Sequence, residues 1–249
     1  MTTVVVIGDV GGCSAQLRQA LVPVVGEPDT VVVQVGDLVD RGPDTPGVLR
    51  IVGERLEQRQ PRWVQLLGNH EAPYVGGEPF WPEPLAQPDA RLLQNWWLTE
   101  RLRVAAAVRT HEGEDFLITH AGLSVAAWRE LGEPVTAATA AELLNTRPEP
   151  LLWGDGGPLW VEPAQLYGPW LAEWPPFSQI HGHSAIVSYQ HQSWMCEERI
   201  RQRSTVDWHA RRTTTRIGAG LFIAVDPKHG RTGALRWSPL VLRDAELLV

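Results

Sequence analysis

Asp9, Asp37, Asn69 and His120 are far apart in the chain, yet each closely follows a short apolar run. His183 joins them as a fifth group able to bind a metal, with His181 as a possible extra. Mixed carboxylate, amide and imidazole groups suit borderline or hard divalent ions such as Mn²⁺, Fe²⁺ or Zn²⁺. A carboxylate like that of Asp37 can bridge two ions. Two ions about 3.5–4 Å apart can activate water and stabilise both oxygens of an in-line displacement at phosphorus.

A second set of residues fits proton transfer and anion binding. Asp40 lies three residues after Asp37, and His70 directly follows Asn69. A histidine held by a carboxylate has a fixed tautomer and a favoured imidazolium, so it can protonate a leaving alkoxide. Arg41 can place two parallel hydrogen bonds on phosphate oxygens, which lysine does less well. Each residue alone has a plainer reading. Gly-Asp after a strand is often only a turn, and a lone histidine is more often structural. His111, His191, His209 and His229 are left at that reading, as are Asp44, Asp115, Asp155 and Asp207 as turn or surface residues.

The elements that must position these groups are legible. Val4–Ile7, Val31–Val35, Val64–Leu67 and Phe116–Ile118 are apolar runs rich in β-branched residues, and each enters a loop carrying Asp, Asn or His. Val48–Gln58 reads as a helix with Pro46 suited to its first turn. Asp89 is expected to cap a helix through Arg101, and Ser124–Leu131 and Thr136–Asn145 read as two more. Short buried strands alternating with helices argue for an α/β fold. In such folds, sites form outside the carboxyl ends of strands. Ala72–Asp89 and Pro148–Pro176 read as irregular, aromatic and proline-rich insertions. Short strands are expected near Ile180, Ala185–Ser188, Leu221–Val225 and Ala234–Trp237.

The 249 residues fit a single domain, 1–249, with 43% hydrophobic and 20% charged residues as in ordinary globular proteins. No run of 18 apolar residues suggests a membrane helix, and no signal peptide is evident at Met1-Thr2-Thr3. Two cysteines, Cys13 and Cys196, make no disulfide framework, which suits a cytoplasmic protein. The net charge of −7 argues against broad nucleic-acid binding. Arg199, Arg201, Arg203, Arg211, Arg212 and Arg216 form a local basic cluster, read first as a solvated face.

Gly36-Asp37-Leu38-Val39-Asp40-Arg41-Gly42 and Gly68-Asn69-His70-Glu71 resemble two signature motifs of the calcineurin-like metallophosphoesterases. The likeness is greatest to the branch of Ser/Thr phosphoprotein phosphatases and symmetrical diadenosine tetraphosphatases. His120-Ala121-Gly122 and Gly182-His183-Ser184 resemble the family's two later histidine motifs, and Val225-Asp226-Pro227 through Gly233-Ala234-Leu235 its closing hairpin. The resemblance implies a two-sheet β-sandwich flanked by helices, with two divalent ions at one edge. Manganese is the first choice, with iron or zinc as alternatives. Asp37 would bridge the ions, Asn69, His120 and His183 would complete one, and Asp9 would hold the other. His70, oriented by Asp40, would be the general acid, Arg41 a phosphate clamp and a metal-bridging hydroxide the nucleophile.

Two departures qualify that picture. Gly11 stands where the family carries a histidine ligand, so one ion would be held less well. Water, Cys13 or a histidine from elsewhere are open alternatives. A family arginine near a Leu-Trp has no counterpart at Leu152-Trp153-Gly154-Asp155 or Leu159-Trp160-Val161-Glu162. Arg147 or the later arginine cluster could compensate. The expected activity is hydrolysis of a phosphate ester on a small molecule, nucleotide or phosphoprotein. The alternatives are an altered substrate (a diester, dinucleotide or specialised metabolite) and a non-catalytic binding protein.

Overall fold

A computed structural model of the chain describes residues 2–24, 27, 29–58, 62–228 and 237–249. The first half alternates strand and helix: β1 Thr2–Ile7, α1 Ser14–Leu21, β2 Thr30–Gln34, α2 Thr45–Glu57 and β3 Arg62–Leu66. Then follow α3 Gln87–Leu98, β4 Leu102–Arg103, β5 Ala105–Arg109 and β6 Asp115–Thr119. Helices α4 Val125–Glu130, α5 Ala137–Asn145, α6 Glu149–Trp153 and α7 Pro163–Trp170 precede β7 Ser178–His181. The rest comprises β8 Val187–Ser188, β9 Ser193–Trp194, α8 Glu198–Arg201, β10 Ser204–Asp207, β11 Arg212–Ile217, β12 Gly220–Ala224 and β13 Leu240–Leu247.

Eleven strands form one ladder in the order β10-β11-β12-β7-β6-β5-β13-β1-β2-β3-β4. It folds into two layers at β13, which pairs antiparallel with β1 through Ala245, Leu242, Val241 and Leu240 and with β5 through Glu246 and Leu247. The period-2 alternation of a strand decides which side chains fill which layer. Val4, Val6, Val31, Val33, Val64 and Leu66 face Ala106, Phe116, Ile118, Ile180 and Ile223 in the sandwich interior. The alternate residues Val5, Ile7 and Val32 pack instead under Leu17, Leu49, Val52 and Trp96 of the outer helices. Both faces of β1 and β2 are therefore buried, which is why they read as continuous apolar runs. Each such valine contributes about 1.5–3 kcal/mol by burial.

Helix starts follow their caps. Asp44 accepts the Gly47 amide at 3.0 Å, Ser124 that of Ala127 and Thr136 that of Thr139. Asp44 is thus a helix cap rather than a loose surface group. The expected helix from Asp89 to Arg101 is shifted: it begins at Gln87 and ends at Leu98. Pro88 is tolerated in the first turn, where its missing N–H is no loss. Asp89 lies inside that turn, where it complements the helix dipole. The Pro148–Pro176 insertion contains α6 and α7, so it is less irregular than its composition suggests. The arginine cluster is not one solvated face: Arg216 is exposed on β11 and Arg212 partly buried, whereas Arg211 is buried and donates to the Pro227 carbonyl at 2.7 Å. The expected strand at Ala234–Trp237 and the Gly233–Leu235 end of the hairpin motif lie outside the described residues, apart from Trp237.

Candidate metal centre

Strands β1, β2 and β3 run parallel in one layer, and β6, β7 and β12 run parallel in the other. The carboxyl ends of β1, β2, β3, β6 and β7 carry Asp9, Asp37, Asn69 with His70, His120 and His183. These residues meet at one edge of the sandwich. Glycines make the approach possible. A Cβ at Gly68 would collide with the Asp37 amide, and one at Gly182 with the Asp9 carboxylate. Asp37, Asp40, Arg41 and His183 all have positive φ, at 53°, 64°, 56° and 60°. Such conformations are costly for residues with a side chain and cluster at functional sites.

Hydrogen positions decide what these groups can hold. His120 Nδ1 donates to the Val35 carbonyl at 2.9 Å. Burial lowers the pKa of His120, so the ring is neutral and Nε2 carries a lone pair. That lone pair lies 2.9 Å from Asn69 Oδ1 and 3.3 Å from Asp37 Oδ1. His183 Nδ1 lies 3.1 Å from the same Asn69 oxygen. Burial also holds the His183 ring neutral, with its pKa lowered to about 3. Its outer Nε2 faces the exposed Glu162 carboxylate, with Oε1 at 3.7 Å. Asp37 Oδ2 is buried with no hydrogen-bond partner. Ligand atoms of Asp9, Asp37 and His120 lie within 4.8 Å of one another. Two carboxylates, an amide oxygen and two imidazole nitrogens thus converge, a donor set that fits a divalent cation.

The charges agree. Burial raises the Asp9 pKa well above the carboxylate range, reinforced by Asp226 and Asp37. Burial opposes ionisation of Asp37 too, but the positive charges of His70 and Arg41 beside it hold its pKa low. Asp226, fully buried, pairs with the chain's single lysine, Lys228, at 3.1 Å. Lys228 also donates to the His183 carbonyl at 2.8 Å.

Beside this group, Asp40 Oδ2 lies 2.7 Å from His70 Nδ1. Arg41 approaches His70 Nε2 at 3.0 Å and Asp37 Oδ2 at 3.6 Å. Burial would lower the His70 pKa, but Asp37 and Asp40 outweigh it and raise it. The rings of Phe80 and Trp81 stand edge-on to His70, with centroids at 5.0 and 4.8 Å.

Several sequence candidates lie elsewhere. His181 does not join the cluster: Nε2 faces the Tyr167 hydroxyl at 2.8 Å and Nδ1 the Gly182 carbonyl at 2.9 Å. Cys13 is turned to the Gly11 carbonyl at 3.4 Å, and burial raises its thiol pKa, so it is a packing residue under Gly42. Arg147 stacks on Trp97 at 3.5 Å and donates to the Trp97 carbonyl, away from the site. Arg199 and Arg201 pair with Glu197 and Glu198 at the surface.

Other contributors were not singled out from the sequence. Glu71 accepts four amides, from Asp37, Leu38, Val39 and Gly68, at 2.8–3.2 Å. Burial and Asp37 push its pKa up to about 7, against the pull of those amides. Its place directly after Asn69-His70 was the available signal. Asp226 and Lys228 offered a weaker one, in the Asp-Pro-Lys turn after an apolar run.

The family model described as calcineurin-like phosphoesterase matches residues 2–210. A symmetrical bis(5'-nucleosyl)-tetraphosphatase of Serratia proteamaculans is 31% identical over 180 residues, 68% of this chain and 56% of that protein. The enzyme of the same name from Pectobacterium atrosepticum is 32% identical over 180 residues, 68% of this chain and 57% of that protein. The match therefore spans little more than half the length of these relatives. A cold-active protein tyrosine phosphatase structure superposes over 100% of this chain and 81% of its own, with TM-score 0.59 and 18% identity, a likeness of fold alone. Matched by its family model over most of its length, the chain belongs to the calcineurin-like phosphoesterases.

Proposed function

We propose that the chain hydrolyses a phosphate ester at this edge, with Asp9, Asp37, Asn69, His120 and His183 holding two divalent ions, one of them more weakly for want of a ligand at Gly11. Manganese is the first choice. The convergence of Asn69 Oδ1, His120 Nε2, His183 Nδ1 and Asp37 Oδ1 is the observation that carries this reading. Divalent ions there would supply Lewis-acid charge to phosphoryl oxygens and a water acidic enough to attack near neutral pH.

The remaining steps fall to side chains. Asp40 holds the Nδ1 proton of His70, so Nε2 is the nitrogen that delivers a proton to the leaving oxygen. The carboxylates of Asp37 and Asp40 favour the protonated ring. Arg41 donates to His70 Nε2 at 3.0 Å and lies 3.6 Å from Asp37 Oδ2; turned onto two phosphate oxygens, its fork would leave Nε2 to carry the proton. That turn removes a positive neighbour from His70 as the substrate arrives.

A nucleotide substrate is the second part of the proposal, supported by the names of the tetraphosphatase relatives. No helix among the described residues is long and apolar enough to cross a membrane. The deciding assay is Mn²⁺-dependent hydrolysis of p-nitrophenyl phosphate and its bis-ester, with Asp37→Asn and His70→Asn as controls. Monoester turnover lost in the first and strongly reduced in the second is expected. Turnover of the diester alone would move the substrate class to diesters. No turnover of any phosphate ester by the metal-loaded protein would overturn the reading.

A further inference from the structure

His70 fixes the side of the site on which the leaving group must lie, because its Nε2 hands that group a proton. Phe80, edge-on to His70 at 5.0 Å, is also a wall of a cavity of about 330 Å³. Trp153 and Trp160 form further walls, and Glu78 and Asp155 supply the charge. Trp160 meets Phe80 at 5.0 Å and His183 at 6.4 Å, so the cavity wall is continuous with the centre. Gly76, at φ 133°, lets the loop backbone lie against Trp153, where a Cβ would come 3.2 Å from the ring.

Among the described residues, the cavity has no basic residue in its lining. The neighbouring cavity of about 260 Å³ differs in holding a cation, Arg41, together with Trp81 and the carboxylates of Asp40, Glu83 and Asp89. A cation able to hold phosphate oxygens, Arg41, is therefore on one side of His70, and on the other are three aromatic faces and two carboxylates with no cation among the described residues. Aromatic walls favour a flat ring by offset or edge contacts. Carboxylates beside them repel an anion and favour a neutral or cationic group.

We infer that the cavity between Phe80, Trp153 and Trp160 is the leaving-group subsite, and that it selects a flat ring without negative charge. The inference rests on the phosphohydrolase reading of His70, and it narrows the substrate class. A nucleobase and a phenolic ring both meet the requirement; a leaving group with a carboxylate on its ring does not.

Binding to the Mn²⁺-loaded protein tests it without turnover. Four non-hydrolysable probes would be compared by isothermal titration calorimetry: benzylphosphonate, cyclohexylmethylphosphonate, 4-carboxybenzylphosphonate and a 5'-phosphonate analogue of AMP. Benzylphosphonate is expected to bind roughly fivefold tighter than the saturated ring, the scale of an aromatic contact. It is expected to exceed the carboxylated probe by a similar factor. Trp160→Ala should remove the first preference, and the surface double variant Glu78→Gln/Asp155→Asn the second. A tighter AMP analogue would identify the ring as a nucleobase, and a weaker one would point to a smaller aryl group.

Equal affinities across the probes, no binding by any of them, or preferences that survive both variants would overturn the subsite. Parallel p-nitrophenyl phosphate turnover separates the two ideas. Turnover with flat probe affinities removes the subsite and keeps the hydrolase. Ordered affinities without turnover of any ester keep a flat-ring binding cavity but remove the hydrolase and, with it, the leaving-group role.

Discussion

Glu71 Oε2 accepts the main-chain amide of Asp37 at 2.9 Å, so a carboxylate after β3 holds the positive-φ turn after β2. The same side chain binds the amides of Leu38, Val39 and Gly68. Glu71→Gln would aim amide hydrogens at some of these N–H groups. The expected cost is about 3 kcal/mol, the scale of unsatisfied buried donors. For a chain of this size that lowers the melting temperature by about 6–12 °C. An unchanged melting temperature in thermal denaturation would mean that a neutral carboxyl already sits among the amides.

The rate should fall on the alkaline side as His70 loses its proton. Burial lowers its pKa, but Asp37 and the Asp40 hydrogen bond more than compensate, so the net shift is upward. Removing the Asp40 charge subtracts a raising influence. Asp40→Asn should therefore move the alkaline limb of kcat to lower pH and reduce its height. A limb unmoved in this variant would assign the ionisation to another group.

Metal affinity is expected to depend most on the imidazoles. His120→Ala and His183→Ala should each weaken Mn²⁺ binding by at least about a hundredfold, beyond the 10–100-fold typical of residues that only support ligands. Glu162→Gln, which acts through His183, should fall within that smaller range. Calorimetric titration of the chelator-stripped protein distinguishes the three. Equal affinities in all variants would place the ion elsewhere.

Acid should weaken the fold through His181. Burial lowers its folded pKa to about 4, against about 6.5 when unfolded. The ring is neutral in the fold, accepting from Tyr167 and donating to Gly182. Its contribution is fully present above pH 6.5 and is lost as pH falls towards 4, by up to about 1.4 kcal/mol per unit. Urea unfolding between pH 7 and 4.5 should show this slope, and His181→Asn should flatten it. The same slope in both proteins would exclude His181 as its source.

The sequence was most informative where local chemistry and tertiary role coincide. Val4–Ile7 and Val31–Val35 are buried on both faces, so composition alone marks them as strands. Helices α4 and α5 begin at Ser124 and Thr136, whose hydroxyls cap them as their type suggests. The residues brought to the edge could be named because their motifs are short and local. What was hidden depends on distant partners. The run Ala105–Ala107 has little strand propensity and is a strand because β6 and α5 cover it. The alternation in β13 is interrupted by Asp244, at φ 51°, where the strand passes from one layer to the other. His181 resembles a ligand by spacing, yet Tyr167 on α7 claims it, and no local pattern reveals that pairing.

The pairing of β1 with β13 joins residues more than 230 positions apart, as in Thr2 with Ala245. Contacts of such sequence separation slow folding, because the intervening chain must lose its freedom before they form. During synthesis, β1 leaves the ribosome long before its partner exists. One rim of β1 waits, open to mispairing with other chains, until β13 emerges and closes it.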